Sequence, residues 1–388
     1  MSKVAKAAVG LMAATLVAKI LGFGRELALA SAYGASGVSD AFLVAMNIPA
    51  VIFTAIGTSL GTAFIPLYCE VNANKGEQSS NKFTNNVFNI VVIICIVLSV
   101  IGAIFTPQIV KIFAVGFEGE TLRLAIYFTR VMILGLAFLG MSYIMMAYLQ
   151  VKENFIIPGL MPVPYNILII TSIIISVKIN PYLLPWGTLI GLSLQFLFQL
   201  PFAIKKGYRY KLYIDVKDEH LKRMLWLIAP VLIGVAVNQI NTIVDRTIAS
   251  TLVEGSISAL NYATKLNQFV MGMFIVSISS VVYPMLSKLS TENNKEKFNK
   301  SIITSVNTVT LLVIPISIGA IILANSIVKL LFQRGEFDAR ATQMTAVALI
   351  FYSIGMIGYG LRDILGKVFY SLQDTRTPMI NGVIAMVL

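Results

Sequence analysis

Long uninterrupted apolar blocks constrain this chain more than any other feature. Val87–Phe105, Ile167–Val177 and Ile302–Ala324 are stretches that a water-soluble fold would struggle to cover. A helix needs about 20 mostly apolar residues to cross the hydrocarbon core of a bilayer. Inside lipid each backbone N–H and C=O must be satisfied within its own segment or a closed barrel, which makes such blocks helices. Composition agrees. Of 388 residues, 57% are hydrophobic and 12% charged, against about 25% charged in a soluble domain, and mean hydropathy is +0.82. The expected fold is an all-α polytopic membrane protein.

Ten spans are expected, near residues 4–32, 37–66, 84–106, 121–149, 155–177, 183–204, 221–251, 257–287, 301–325 and 340–371. An eleventh begins at Pro378 and is expected to be cut off at Leu388, inside an apolar run. Several blocks exceed 25 residues, which implies tilt, kinks or ends that project into the interface. The first, Val4 to Ala32, is too long for a cleavable signal and carries Lys19, Arg25 and Glu26.

The formal net charge of +12 would suggest nucleic acid in a soluble protein. Here the cations sit mostly in short loops between apolar blocks, so membrane topology accounts for them and no nucleic-acid partner is expected. Seventeen Lys and Arg lie in segments on the N-terminal side of the membrane and six on the other. Cytoplasmic segments carry the excess of Lys and Arg, which places the N-terminus in the cytoplasm of a cell membrane. Cys69, Cys95 and His220 are too few for a disulfide framework or a zinc site. His220 lies in a Lys-rich loop and reads as a solvated side chain. No cofactor is expected.

An internal repeat recurs at a spacing of about 220 residues. Gly37-Val-Ser-Asp40 precedes a helix ending Ala63-Phe-Ile-Pro66, and Ser256-Ile-Ser-Ala259 precedes one ending Val282-Tyr-Pro284. Tyr148-Leu-Gln150 with Pro158 is matched by Ser371-Leu-Gln373 with Pro378. Six spans separate the copies, so both keep one orientation, and a parallel repeat places substrate between its halves. The expected organisation is an N-terminal six-helix lobe (1–204), a basic cytoplasmic connector (205–220) and a C-terminal lobe (221–388) holding helices seven to ten and the start of an eleventh. Two parallel-repeat lobes around a central cavity, the second incomplete, are the expected architecture.

Polar residues inside the spans carry the chemistry. Lys19 and Glu26 are seven residues apart on one helix face, with Arg25 adjoining. Asp40, Asn47, Thr54, Thr58 and Thr62 form a stripe down the second span, interrupted by Pro49, which can free carbonyls toward a cavity. Asn238, Asn241, Thr242 and Asp245 stripe the seventh span beside Arg246; Asn261, Lys265 and Gln268 stripe the eighth; Arg362, Asp363 and Lys367 lie in the tenth. A charge at helix centre costs about 2.5–3.5 kcal/mol even on lenient scales, so these groups face protein, water or one another. Arg25–Glu26, Asp245–Arg246 and Arg362–Asp363 are equally readable as structural ion pairs or snorkelling side chains. Lys19 and Lys265 have no acidic neighbour within one turn and point more directly to function.

Phe369-Tyr-Ser-Leu-Gln-Asp-Thr-Arg-Thr-Pro378 resembles the most distinctive signature of the MurJ/MviN family, the lipid II flippases of peptidoglycan synthesis. Lys19-Ile-Leu-Gly-Phe-Gly-Arg-Glu26, Ser39-Asp-Ala-Phe42, Ala63-Phe-Ile-Pro66 and Leu331-Phe-Gln-Arg-Gly-Glu-Phe337 are similar to further family motifs, in the same order. The resemblance covers essentially the whole chain. It implies the multidrug/oligosaccharidyl-lipid/polysaccharide exporter architecture, two six-helix lobes around a V-shaped cavity, with fourteen spans usual in the family.

Residue by residue, Arg25 matches the arginine closing the family's Gly-Phe-x-Arg motif, and Asp40 matches its second-helix aspartate. Lys265 falls where many members have a cavity arginine, which keeps the charge and loses the bidentate fork. Ile48-Pro-Ala-Val-Ile-Phe-Thr54 lacks the arginine that many members carry there. The expected substrate-binding set is Arg25, Lys265, Lys19, Glu26, Asp40 and Asn47. The expected activity is movement of lipid II, by a monomer, from the cytoplasmic to the outer leaflet by alternating access, with the polyprenyl tail left in membrane lipid and no enzyme chemistry.

Three alternatives stay open on the sequence: a flippase for another polyprenyl-pyrophosphate-linked saccharide, a cation-coupled small-molecule exporter, and a membrane-embedded glycosyltransferase or polymerase. The exporter would want an acidic cavity, whereas the helix-borne charges here lean basic. The glycosyltransferase would need a catalytic carboxylate, for which Asp40 and Glu254 are the candidates.

Overall fold

A computed structural model describes residues 3–291, 295–374 and 376–387. All regular structure among them is helical. Helices α1 (Lys3–Tyr33) and α2 (Gly37–Ile104) open the chain, and the short α3 (Thr106–Phe113) follows. Next come α4 (Gly119–Met132) and α5 (Leu136–Val151), joined by a 3-10 turn, then α6 (Ile156–Leu160), α7 (Pro162–Lys178) and α8 (Leu184–Lys205). After the connector lie α9 (Glu219–Ser250), α10 (Ser256–Thr291), α11 (Lys295–Ile322), α12 (Ala324–Phe332), α13 (Ala339–Ser371) and α14 (Arg376–Val387). Helices therefore occupy all ten positions expected from hydropathy. Seven helical segments among the described residues are long and apolar enough to cross a membrane. The protein is a multi-pass membrane protein.

Helix α2 spans 68 residues but holds two spans rather than one rod. Gly76 breaks it, at φ 77° and ψ 176°, a left-handed conformation that glycine adopts without a Cβ penalty. Phe64 and Phe83 lie on opposite sides of that break, with ring centroids 5.7 Å apart. Nineteen residues of straight helix would separate them by about 28 Å. The chain therefore folds back at Gly76, and Ser80 Oγ donates to Asn72 Oδ1 across the fold at 3.2 Å.

Two compact units, residues 1–257 and 258–388, make up the chain. In the first, Phe64, Tyr68, Val87, Phe88, Tyr148 and Tyr208 form the centre of one apolar core that also takes in Leu221, Met224 and Ile228 of α9. Tyr148 sits edge-on to Tyr68 at 5.8 Å and to Tyr208 at 5.4 Å, the geometry that the ring quadrupole favours. Helix α9 runs against α2 and so belongs to this unit. In the second unit, Met271, Ile275, Val309, Val313, Met356 and Ile364 pack as a core, and Tyr262, Phe332 and Phe337 form an aromatic cluster.

The repeat is visible in local geometry at a register of 220. The Phe117 amide donates to Ala114 O and the Phe337 amide to Arg334 O. Asn154 N donates to Leu149 O, and Asp374 N to Phe369 O. The two non-glycine residues of positive φ among those described are Glu153 (58°) and Gln373 (61°), again 220 apart. Such backbone is uncommon away from glycine, so its recurrence marks one loop used twice.

Candidate functional site

Arg25 is a part-buried cation of the first unit with well-defined partners. It lies on α1, one turn from Gly22, whose position faces Asn166 of α7. Arg25 Nη2 donates to Glu26 Oε1 at 2.7 Å and Nη1 to Asn166 Oδ1 at 3.3 Å. Its guanidinium carbon stands 6.0 Å from the Tyr165 ring centroid. Glu26 is 3% exposed and Arg25 17%, so each charge compensates the other where water is scarce. Two of the five guanidinium donors are thereby used, and the rest remain available to an anion.

Tyr165 connects this ion pair to a cavity of about 160 Å³ inside the first unit, lined also by Pro49, Thr54, Tyr143, Thr188 and Gln195. Asn47 Nδ2, Gln195 Oε1 and Gln199 Oε1 are buried there or nearby without a hydrogen-bond partner. Pro49 lacks the N–H that would donate to the carbonyl a turn earlier. Lys19, by contrast, is exposed on α1. Glu26, two turns further on, is 3% exposed. Thr58, Thr62 and Asn238, part of the expected stripes, lie outside the residues whose side chains are described.

Asp40 sits at the start of α2, 3% exposed. Its Oδ2 accepts the Gly255 amide at 2.8 Å. Glu254 reciprocates by accepting the Gly37 amide. Beside them the Gly116 amide donates to Ser250 Oγ at 3.0 Å and Thr247 Oγ1 to Ile112 O at 2.8 Å. Both carboxylates named as catalytic candidates thus hold backbone amides between the α1–α2 and α9–α10 turns. At the opposite end of α9, Arg223 Nη1 meets both Glu70 oxygens at 2.9 Å. Helix α9 is fastened to α2 at both ends.

Lys265 is half-buried on α10 in the second unit, beside buried Asn261 and Asn267. Asn267 Nδ2 donates to Tyr352 O at 3.0 Å, and Ser279 Oγ donates to Asp363 Oδ2. Lys367 Nζ stands 5.6 Å from the Tyr283 ring centroid. Arg25, Glu26 and the neighbourhood of Asn47 are gathered in the first unit, with Asp40 at its α2–α9 clasp.

A sequence profile described as "Lipid II flippase MurJ" matches residues 29–388. The chain belongs to the MurJ family. Among MurJ proteins, the "Probable lipid II flippase MurJ" of Buchnera aphidicola subsp. Baizongia pistaciae is 30% identical over 389 residues, which cover 99% of this chain and 76% of that protein. The "Lipid II flippase MurJ" of Burkholderia cenocepacia is 30% identical over 377 residues, covering 94% and 73%. A solved structure, "Lipid II flippase MurJ, inward closed conformation", superposes with TM-score 0.82 at 30% identity over 95% of this chain and 77% of that one. An inward-facing MATE family transporter of the MOP superfamily shares the fold, with TM-score 0.75 at 12% identity over 96% of this chain and 86% of that one.

Tyr165, Asn166, Gln195 and Gln199 were missed by sequence reasoning. A signal for them exists: each is polar inside an apolar block, and Gln195 and Gln199 share a helix face four residues apart.

Proposed function

We propose that the chain flips lipid II from the cytoplasmic to the outer leaflet by alternating access. The observation that carries this reading is membership of the MurJ family over residues 29–388, joined to a part-buried Arg25 that keeps donors free beside a polar cavity. Arg25 and Lys265, with Lys19, Asn47 and the Glu26 that orients Arg25, hold the pyrophosphate and sugar head group. Asp40 contributes through the clasp that closes one end of the path. The polyprenyl tail stays in lipid, and no nucleic acid or enzymatic step takes part.

The working division for transport is a lobe of residues 1–204, a connector 205–220 and a lobe 221–388, acting as a monomer with a cytoplasmic N-terminus. In that topology the Asp40–Gly255 and Glu254–Gly37 bonds form an outer latch, and Glu70–Arg223 an inner one. Opening one latch at a time gives access to one side at a time. An inside-negative potential favours outward movement of an anion by about 2.3 kcal/mol per charge per 100 mV, so two pyrophosphate charges give roughly 4–5 kcal/mol. That bias drives the cycle without nucleotide hydrolysis.

The test is complementation of a strain depleted of its own flippase. The wild-type chain restores growth, and the Arg25→Ala/Lys265→Ala double variant, present in the membrane at equal level, does not. Normal growth of cells carrying the double variant would refute the site.

A further inference from the structure

The connector between α8 and α9 is held to α2 by a ladder of asparagines. Asn81 Nδ2 donates to Gly207 O at 3.0 Å and Asn85 Nδ2 to Arg209 O at 2.8 Å. Asn89 Nδ2 donates to Lys211 O at 3.3 Å and Tyr213 O at 3.0 Å. Asn86 then takes the returning chain, donating to Asp215 O at 2.9 Å and accepting the Asp215 amide at 2.7 Å. The backbone therefore climbs α2 from residue 81 to residue 89, turns, and comes back. It forms a finger with Leu212 at its tip.

Because the ladder consumes the backbone, the side chains splay outward. Leu212 is 77% exposed and Val216 66%, with Ile214 exposed between them and Tyr210 exposed before them. Such a row is costly in water. Its level on α2 explains it. Ile93, Ile94, Ile96 and Val97, all exposed, begin the lipid-facing band one turn beyond Asn89, about 6 Å further along the axis. Trp226, exposed near the start of α9, is of the type that marks the interface between headgroups and acyl chains.

Charge completes the picture. Lys82, Arg209 and Lys211 line a cavity of about 710 Å³ together with Asn81, Asn85, Tyr213 and Glu77, whose carboxylate is paired with Lys152. Lys82 Nζ lies 4.4 Å from the Tyr213 ring centroid. Lys205, Lys206 and Lys217 are exposed alongside.

We propose that residues 207–216 form an interfacial anchor for anionic phospholipid. Leu212, Ile214 and Val216 enter the boundary of the acyl chains, and the cavity of Lys82, Arg209 and Lys211 takes the phosphate of the headgroup. Apolar side chains at headgroup depth beside cations are the pattern of interfacial binding. An acidic peptide would meet the cations but leave the apolar row uncovered. The inference rests on the cytoplasmic placement of the connector proposed above and is independent of the transported substrate.

The experiment uses the full chain in nanodiscs of phosphatidylcholine with phosphatidylglycerol. In a Cys69→Ser/Cys95→Ser background, Leu212→Cys carries an environment-sensitive fluorophore. The expected result is quenching by lipids bearing a nitroxide high on the acyl chain, with protection from aqueous iodide. Headgroup-labelled phosphatidylglycerol should quench more than labelled phosphatidylcholine, and Lys82→Gln/Arg209→Gln/Lys211→Gln should abolish that preference, each cation being worth up to about five-fold at low salt. Asn89→Ala, which leaves the charges in place and frees the tip, should reduce acyl-chain quenching and serves as a second variant if the triple substitution fails to fold. Iodide quenching without lipid quenching, or equal quenching by both lipids, overturns the proposal. So does displacement of phosphatidylglycerol by excess inorganic phosphate, which would mark a free-anion site. Because no transport is measured, failure here leaves the flippase reading standing, and a failed flippase test leaves this one.

Discussion

Asp40 and Gly255, 215 residues apart in the chain, are joined by a 2.8 Å hydrogen bond from the glycine amide to the aspartate carboxylate. The bond is buried, so its loss cannot be made good by water. Asp40→Ala leaves the amide without an acceptor, at a cost of about 1–3 kcal/mol. Asp40→Asn keeps an acceptor and costs less. Labelling of an Ala35→Cys variant from outside the cell reports the opening, and its rate should rise in the order wild type, Asp40→Asn, Asp40→Ala.

Gly255 is required for two separate reasons. Its φ is +92°, and a Cβ there would come within 2.3 Å of Ala35 O. Gly255→Ala should therefore lower stability by roughly 1–3 kcal/mol. Gly61→Ala is the control: nothing lies within 4 Å of a Cβ at that helical position, and alanine stabilises helix interiors by up to about 1 kcal/mol. The melting temperatures of the two variants should move in opposite directions.

The Glu70–Arg223 pair is different in kind. Its side chains are 38% and 59% exposed, so solvent screens the contact of the single Arg223 Nη1 with both carboxylate oxygens. A double-mutant cycle should return a coupling below about 1 kcal/mol, shrinking further in high salt. If the pair acts as the inner latch, Glu70→Gln changes transport rate while leaving the melting temperature unmoved.

Arg25 calls for two substitutions because truncation has a structural cost. Arg25→Ala strands the buried Glu26 charge, worth about 3–5 kcal/mol, and should lower the amount of folded protein. Arg25→Lys preserves the charge and loses the fork that reaches Glu26 and Asn166 together. It should assemble normally and transport at least about ten-fold more slowly, a loss of one such interaction. Membrane abundance and flipping rate, measured side by side, separate the two effects.

The pH response of the connector follows from Asp215. The Lys217 amide and the Tyr213 hydroxyl, both donating to its carboxylate, hold its pKa below the ordinary value of 3.8. A depressed folded value means that the carboxylate favours the docked finger above pH 3.8 and loses that effect as pH falls through the lowered pKa. Amide exchange across residues 208–217 should stay slow through the neutral range and quicken in that acid window. Asp215→Asn should flatten the dependence.

Much of the fold was legible in the sequence because the bilayer leaves few choices: apolar length and loop charge gave ten helices close to their observed places. The repeat was legible as a spacing of about 220, but pairing Tyr148-Leu-Gln150 with Ser371-Leu-Gln373 set the motifs three residues off the register at which Glu153 and Gln373 share a positive φ. What escaped was local. The fold-back at Gly76 looked like a loop, since the helix continues almost to the break on both sides. The asparagine ladder could not be read because Asn81, Asn85, Asn86 and Asn89 look like an ordinary polar run until the connector lies against them. At the site, Arg25–Glu26 was recognisable as a pair. Asn166 and Tyr165 were not, because their part depends on α7 meeting α1 more than 130 residues later.

The most direct measurement is the leaflet distribution of lipid II in cells depleted of their own flippase and supplied with this chain. Lipid II should become accessible at the outer face with the wild-type chain, and remain inside with Arg25→Lys present at equal abundance. Lipid II that stays inaccessible with abundant wild-type chain, or that reaches the outer face equally well with Arg25→Lys, would contradict the account.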